Sequence, residues 1–239
     1  MCKLSIYFSI FIFQIYTNML TKSTFEYLEL LTKNNNRDWF TENKKRFETE
    51  NNLVKAFFTE VLADLEKIDS IEKMQVFRIY RDVRFSKDKL PYKTHFSVAF
   101  SRTKPMLRGG MYLHIENNAS FVGGGFWEPN NEDLLRIRKE LELDASELRE
   151  IIADENFKKF FGTLQGEELK TAPKNFDKTH PDIDLIRKKQ YLLTRKFSNK
   201  EVLSSNFKEE VIATFAAMRP FFNYMSDVLT TDLNGESLY

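Results

Sequence analysis

The apolar positions of this chain change period twice. From Ser23 they recur at helical spacing: Phe25, Leu28 and Leu31 line one face, and Ser23-x-x-Glu26 reads as a capping box. Asn34-Asn35-Asn36 ends that run. Residues 37–64 are predicted helical again, interrupted near Asn51-Asn52, with Val54, Phe57, Phe58, Val61, Leu62 and Leu65 facing a core. The period then falls to two. Residues 74–80, 95–101, 111–117 and 119–126 are short, rich in β-branched and aromatic residues, and bounded by turn residues. Asn117-Asn118 suits a hairpin turn between the last two. Helical spacing returns over 130–143 and after Asp144, where Asp144-x-x-Glu147 predicts a second box. Pro181 opens a short helix to Lys188. Residues 190–197 read as a fifth strand. A third box, Ser198-x-x-Glu201, precedes a last helix through Phe207, Val211, Phe215 and Met218, which is expected to kink or end before Pro220.

This order predicts an α+β fold: a mostly antiparallel sheet of about five strands flanked by N-terminal and C-terminal helices, in one domain over 19–239. Residues 1–18 stand outside it. Their apolar run, residues 4–16, is shorter than the ~20 residues a spanning helix needs. No small-x-small cleavage site follows, so Met19 is the expected start, with a weak signal-like segment as the alternative.

Composition narrows the picture. Apolar residues make up 42% and phenylalanine occupies 23 positions, which is core-building material rather than a disordered chain. A net charge of +1 argues against generic coating of nucleic acid. Cys2 is the sole cysteine, so no intramolecular disulfide and no cysteine zinc cluster can form, and a cytoplasmic location is expected.

Charge is concentrated locally. Arg78, Arg81, Arg84, Lys87, Lys89 and Lys93 are opposed within their stretch only by Asp82 and Asp88. Arginine forks grip carboxylate or phosphate in two places, and lysines act as point charges. The block therefore reads as an anion site, or as an internal ion-pair network pinning a loop. Arg78 and Tyr80 are expected on the strand face opposite Phe77 and Ile79. Gly123-Gly124-Gly125 allows a bulge, a close approach or an amide nest for an anion, with Trp127 or Tyr92 as an apolar wall. His114 shares a strand face with Tyr112 and Glu116. His114 and Asp88 are the candidates for proton transfer. No HExxH, no local metal triad and no nucleophile elbow is present, so no metal is expected and the cofactor is unknown. Residues 170–182 form a polar, proline-punctuated loop that either closes over a site or connects.

At RDVRFSKDKLPYKTHF the chain resembles an uncharacterised family of bacterial and fungal proteins, a domain of unknown function. NNNRDWFTENKKRFE, YLHIENNASFVGGGFWEP and LKTAPKNFDKTHPDIDLIRKKQY carry the resemblance further, over residues 20–229. It implies no activity, substrate or cofactor. Lys174-Asn175-Phe176 stands where the family usually has a glycine, which suggests a relaxed turn there. The first functional expectation is binding of a phosphate-bearing or other anionic small molecule by the basic loop, without a membrane partner. The second is a non-catalytic module for nucleic acid or an acidic partner, with Phe77, Tyr80 and Tyr92 available for stacking. The third is a charge network without a ligand.

Overall fold

The computed structural model describes residues 20–239; the expectations for residues 1–18 and for Met19 lie outside the described residues. Helices α1 (Lys22–Lys33), α2 (Arg37–Glu42) and α3 (Lys44–Leu65) precede strands β1 (Ile71–Val76), β2 (His95–Arg102), β3 (Gly110–Glu116) and β4 (Ser120–Phe126). Helices α4 (Asn131–Leu143), α5 (Ser146–Ala153), α6 (Glu155–Phe161) and α7 (Ile183–Ile186) follow, then β5 (Tyr191–Phe197), α8 (Asn199–Val202) and α9 (Phe207–Thr230). The sheet is an antiparallel meander in the order β1-β2-β3-β4-β5. The fold is α+β.

Alternation divides the sheet into two unlike faces. Phe96, Val98, Phe100, Met111, Leu113, Ile115, Val122, Tyr191 and Leu193 are buried on one, where α3 and α9 pack. The other carries His95, Ser97, Tyr112, His114, Glu116, Phe121, Gly123 and Thr194, brought abreast by the register His95↔Glu116, Ser97↔His114, Tyr112↔Gly123 and Gly123↔Thr194.

Helix α9 decides how closely the packed face is covered. A Cβ on Gly124 would stand 2.6 Å from Met218 Sδ and 3.0 Å from Phe222, so the absence of a side chain lets the helix settle on β4. Gly125 has φ +126°, and a Cβ there would meet the Tyr191 carbonyl. Neither the β3/β4 nor the β4/β5 register shifts, so Gly124 and Gly125 serve close approach rather than the bulge the sequence allowed. Helix α9 runs through Pro220 without ending. One missing amide bond is outweighed by the burial of Phe215, Met218, Phe221, Phe222 and Met225 along its length.

Other local expectations are revised for similar reasons. Ser23 lies inside α1, and its hydroxyl bonds the buried Glu50 carboxylate instead of capping. Thr24 donates to the same carboxylate at 2.8 Å. Helix α3 is continuous across Asn51-Asn52, and the break falls at Asn43. Asp144 accepts from the Ser146 amide rather than pairing with Glu147. The Ser198–Glu201 box is present. Asn118, at φ 60°, turns the β3–β4 hairpin. Asn175 adopts φ 68° beside a Phe176 N–H to Pro173 carbonyl bond, so the turn expected to relax there is tight, with asparagine in the left-handed region.

Candidate functional site on the open sheet face

The basic block straddles the β1–β2 connection. Strand β1 starts and ends earlier than the sequence suggested, at Ile71 and Val76, and regular alternation stops there. Phe77 turns to the open face, Ile79 is buried, and Arg78 and Tyr80 are exposed. Beyond them a short ladder continues: the Lys93 amide donates to the Ile79 carbonyl at 2.8 Å and the Arg81 amide to Pro91 at 2.9 Å. Past this ladder the two arginines of the loop are paired within it, while its lysines are not paired with a carboxylate among the described residues. Arg81 pairs with Asp88, and Arg84 grips Asp82 in two places with Nη2 at 2.6 Å. Those bonds hold both aspartates below the usual carboxylate range, led for Asp82 by the Arg84 side chain and for Asp88 by the Leu90 amide. Lys89 donates to the Val83 carbonyl at 2.9 Å. Lys87 points to solvent, and Phe85 is 96% exposed.

Tyr92 is not a ligand wall. It is buried, stacked on Phe40 at 4.0 Å, and its backbone exchanges two bonds with the Asn35 side chain. Gly123, Gly124 and Gly125 lie in a strand with neighbours on both sides, so the sheet ladder uses their amides and no anion nest forms. The loop over 170–182 connects rather than closes over this face: Lys139 of α4 lies over the Phe176 ring, His180 meets the Glu142 carbonyl at 3.1 Å, and Arg149 of α5 pairs with Asp182.

On the open face, polar side chains converge. His114 is buried, with one ring nitrogen 3.0 Å from the Tyr112 hydroxyl and the other 2.9 Å from Glu116 Oε2. The Thr94 hydroxyl donates to the remaining Glu116 oxygen at 2.7 Å. His95, directly across the ladder from Glu116, places its ring 4.1 Å from that of His114. Burial, then the His114 charge, pushes His95 down to about 4, and burial likewise lowers His114. Burial would raise Glu116, but bonds from His114 and Thr94 outweigh it and hold the carboxyl below its ordinary range. At neutral pH the arrangement is therefore two neutral imidazoles beside an ionised carboxylate. Ligand atoms of His95, His114 and Glu116 all lie within 4.8 Å of one another, close enough to share a metal ion after small rotations.

Lys93 stands beside this cluster. Its ammonium sits 5.2 Å from the centre of the Phe77 ring, which meets Tyr112 edge-on at 6.1 Å. Burial, with Arg78 as a second cause, lowers the Lys93 ammonium below its usual value. Among the described residues no carboxylate pairs with it. From Tyr112 and His114 a groove of about 440 Å³ runs along the sheet, lined also by Phe121, Gly123, Leu192, Thr194 and Trp127. Trp127 is 65% exposed at its edge.

Of the residues singled out in the sequence, His114, Gly123, Gly124, Gly125 and Trp127 line this groove, and Lys93 stands near its histidine end with Arg78 alongside. Asp88, Arg81, Arg84, Lys87 and Lys89 remain on the exposed loop. His95, Thr94, Phe121 and Thr194 were not expected at a site; the register of β2 on β3 was the missing signal, because His95 is nineteen positions from His114 in the chain.

Residues 23–224 match the family described as a conserved hypothetical protein, DUF2461, and the chain belongs to that family. No curated protein and no solved structure matches it. Among the described residues no helix is long and apolar enough to cross a membrane.

Proposed function

We propose that this protein binds a small anionic ligand, a phosphate or carboxylate joined to an apolar body, on the open sheet face. Lys93 carries the reading. A half-buried cation without a carboxylate partner has lost hydration and gained no ion pair, so an incoming anion meets a charge that is poorly screened. Arg78 adds positive potential from the exposed side. The apolar body lies in the adjoining groove, whose volume falls within the range of small-molecule sites, roughly 300–1,000 Å³. Gly123 keeps that groove shallow-floored but open. A Cβ there would make ordinary contacts, 3.4 Å from Phe121 and 3.6 Å from Thr194, so neither backbone nor core requires the glycine. The self-paired loop is a rim in this reading, not the anion's seat.

The test is titration of the protein with phenyl phosphate, followed by Trp127 fluorescence, with inorganic phosphate as competitor. A saturable signal, competition by phosphate and a shallow salt dependence are expected. Lys93→Gln weakens binding by roughly tenfold or more, as loss of a charge-assisted bond does. Equal binding by Lys93→Gln rejects the assignment. Tight oligonucleotide binding with a steep salt slope, indifferent to phosphate, replaces it with the nucleic-acid reading.

A further inference from the structure

We infer that His95, His114 and Glu116 form a binding site for a divalent first-row transition ion of the zinc type, with its open coordination positions facing the groove. The inference does not depend on the anion reading. It rests on three observations.

The first is placement. Glu116 follows His114 by two positions on one strand face, and His95 lies directly across the ladder from Glu116. Side chains at such positions stand about 5–7 Å apart at their Cβ atoms and can converge above the sheet. They do: their ligand atoms lie within 4.8 Å of one another, and one pair, His114 Nε2 to Glu116 Oε2, is already at 2.9 Å. Metal–ligand bonds of about 2.0–2.2 Å require ligand atoms roughly 3.0–3.4 Å apart, so His95 has the most to move.

The second is unfinished bonding. His114 and Glu116 bond each other, but the His95 side chain has no hydrogen-bond partner among the described residues and is not among the buried groups left unsatisfied, so its ring, tilted against a second imidazole, has a nitrogen open to an incoming ion. An ion held by one nitrogen of each ring and one carboxylate oxygen gives His95 a partner and draws on donors suited to zinc, cobalt or copper.

The third is support from behind. The Tyr112 hydroxyl stands on the far nitrogen of His114, and Thr94 holds the far oxygen of Glu116. Outer partners of this kind fix the ring face and carboxylate rotamer that a metal needs. Three protein ligands leave a position for water or a ligand group. The absence of a local sequence motif led to the expectation of no metal; pairing of β2 with β3 assembles the triad across the ladder instead.

The experiment uses untagged, chelator-treated full chain. Zinc is titrated against a chromophoric chelator, and copper(II) is examined by electron paramagnetic resonance. One equivalent of zinc is expected. His95→Gln or Glu116→Gln weakens it at least about a hundredfold, and Tyr112→Phe or Thr94→Val by about ten- to a hundredfold. Failure to take up zinc stoichiometrically, or undiminished uptake in the ligand variants, overturns the site. Should those variants not fold, the wild-type spectrum still decides. The chain has three histidines, and His180 is held elsewhere by the Glu142 carbonyl and the Asp182 amide. Coupling to two imidazole nitrogens therefore identifies His95 and His114 without any substitution, and coupling to fewer rejects the site.

Discussion

The loop between β1 and β2 and the open face beneath it hold charge in opposite ways. The loop has more cations, but Arg81 and Arg84 each pair with an aspartate, in partly to largely exposed positions. Exposed pairs of this kind contribute little to stability and leave little potential for a ligand. The open face has fewer charges, half removed from water: Lys93, with no carboxylate partner among the described residues, two neutral imidazoles, and one carboxylate held by hydroxyl and imidazole. Desolvation and convergence, rather than the density of charge along the chain, are the grounds for placing the proposed site on the open face.

The strongest test of that contrast uses a cation with neither property of the loop. Arg102 is buried with Asp69 and also donates to Asn223, Ser226 and the Arg108 carbonyl, tying β2 to α9. Asp69→Asn is expected to cost about 3–5 kcal/mol in denaturant unfolding, because it strands a buried charge. A loss below 1 kcal/mol would mean that burial does not separate structural from idle cations in this fold.

The two faces of β4 offer a finer comparison. Gly124→Ala drives a methyl into Met218 and Phe222 and should lower stability by roughly 1–3 kcal/mol. Gly123→Ala should leave the melting temperature nearly unchanged while weakening phenyl phosphate binding by narrowing the groove. Equal destabilisation by both would show that the open face is packed in solution.

Lys93→Gln sharpens the comparison by sign. It is expected to weaken anion binding by roughly tenfold. The same change should tighten zinc, since the Lys93 charge bears on both histidines and opposes a cation there. Parallel zinc and phosphate titrations of one variant read both effects, and weakening of both would contradict this account of Lys93.

The smallest effect belongs to the loop. Arg81→Gln and Arg84→Gln should change neither the melting temperature nor phenyl phosphate affinity measurably. A clear loss of affinity in either would return the anion to the loop.

Periodicity made much of the fold legible. The four later strands, the helical stripe of α3 and the Ser198–Glu201 box follow from local patterns that the tertiary structure reinforces. Local signals failed where a distant partner had the stronger claim. Ser23 looked like a cap, but the Glu50 carboxylate takes its hydroxyl. Pro220 looked like a stop, but core burial on either side carries α9 through it. The block of cations looked like the site because charge density is visible in a sequence, whereas the pairing of Arg81 with Asp88 and of Arg84 with Asp82 is settled only by the fold of the loop.

What the chain determined by itself is the order and type of most of its elements and the alternation that sets Tyr112, His114 and Glu116 on one face of β3. Those follow from side-chain period and backbone freedom, which act within a few residues. The tertiary structure alone decided that His95 faces Glu116, that Lys93 is withdrawn from water beside Phe77, and that Tyr92 belongs to the core. Strand register and burial join residues far apart in the chain, and the electrostatics of a site depend on which of them meet and on how much water remains between them.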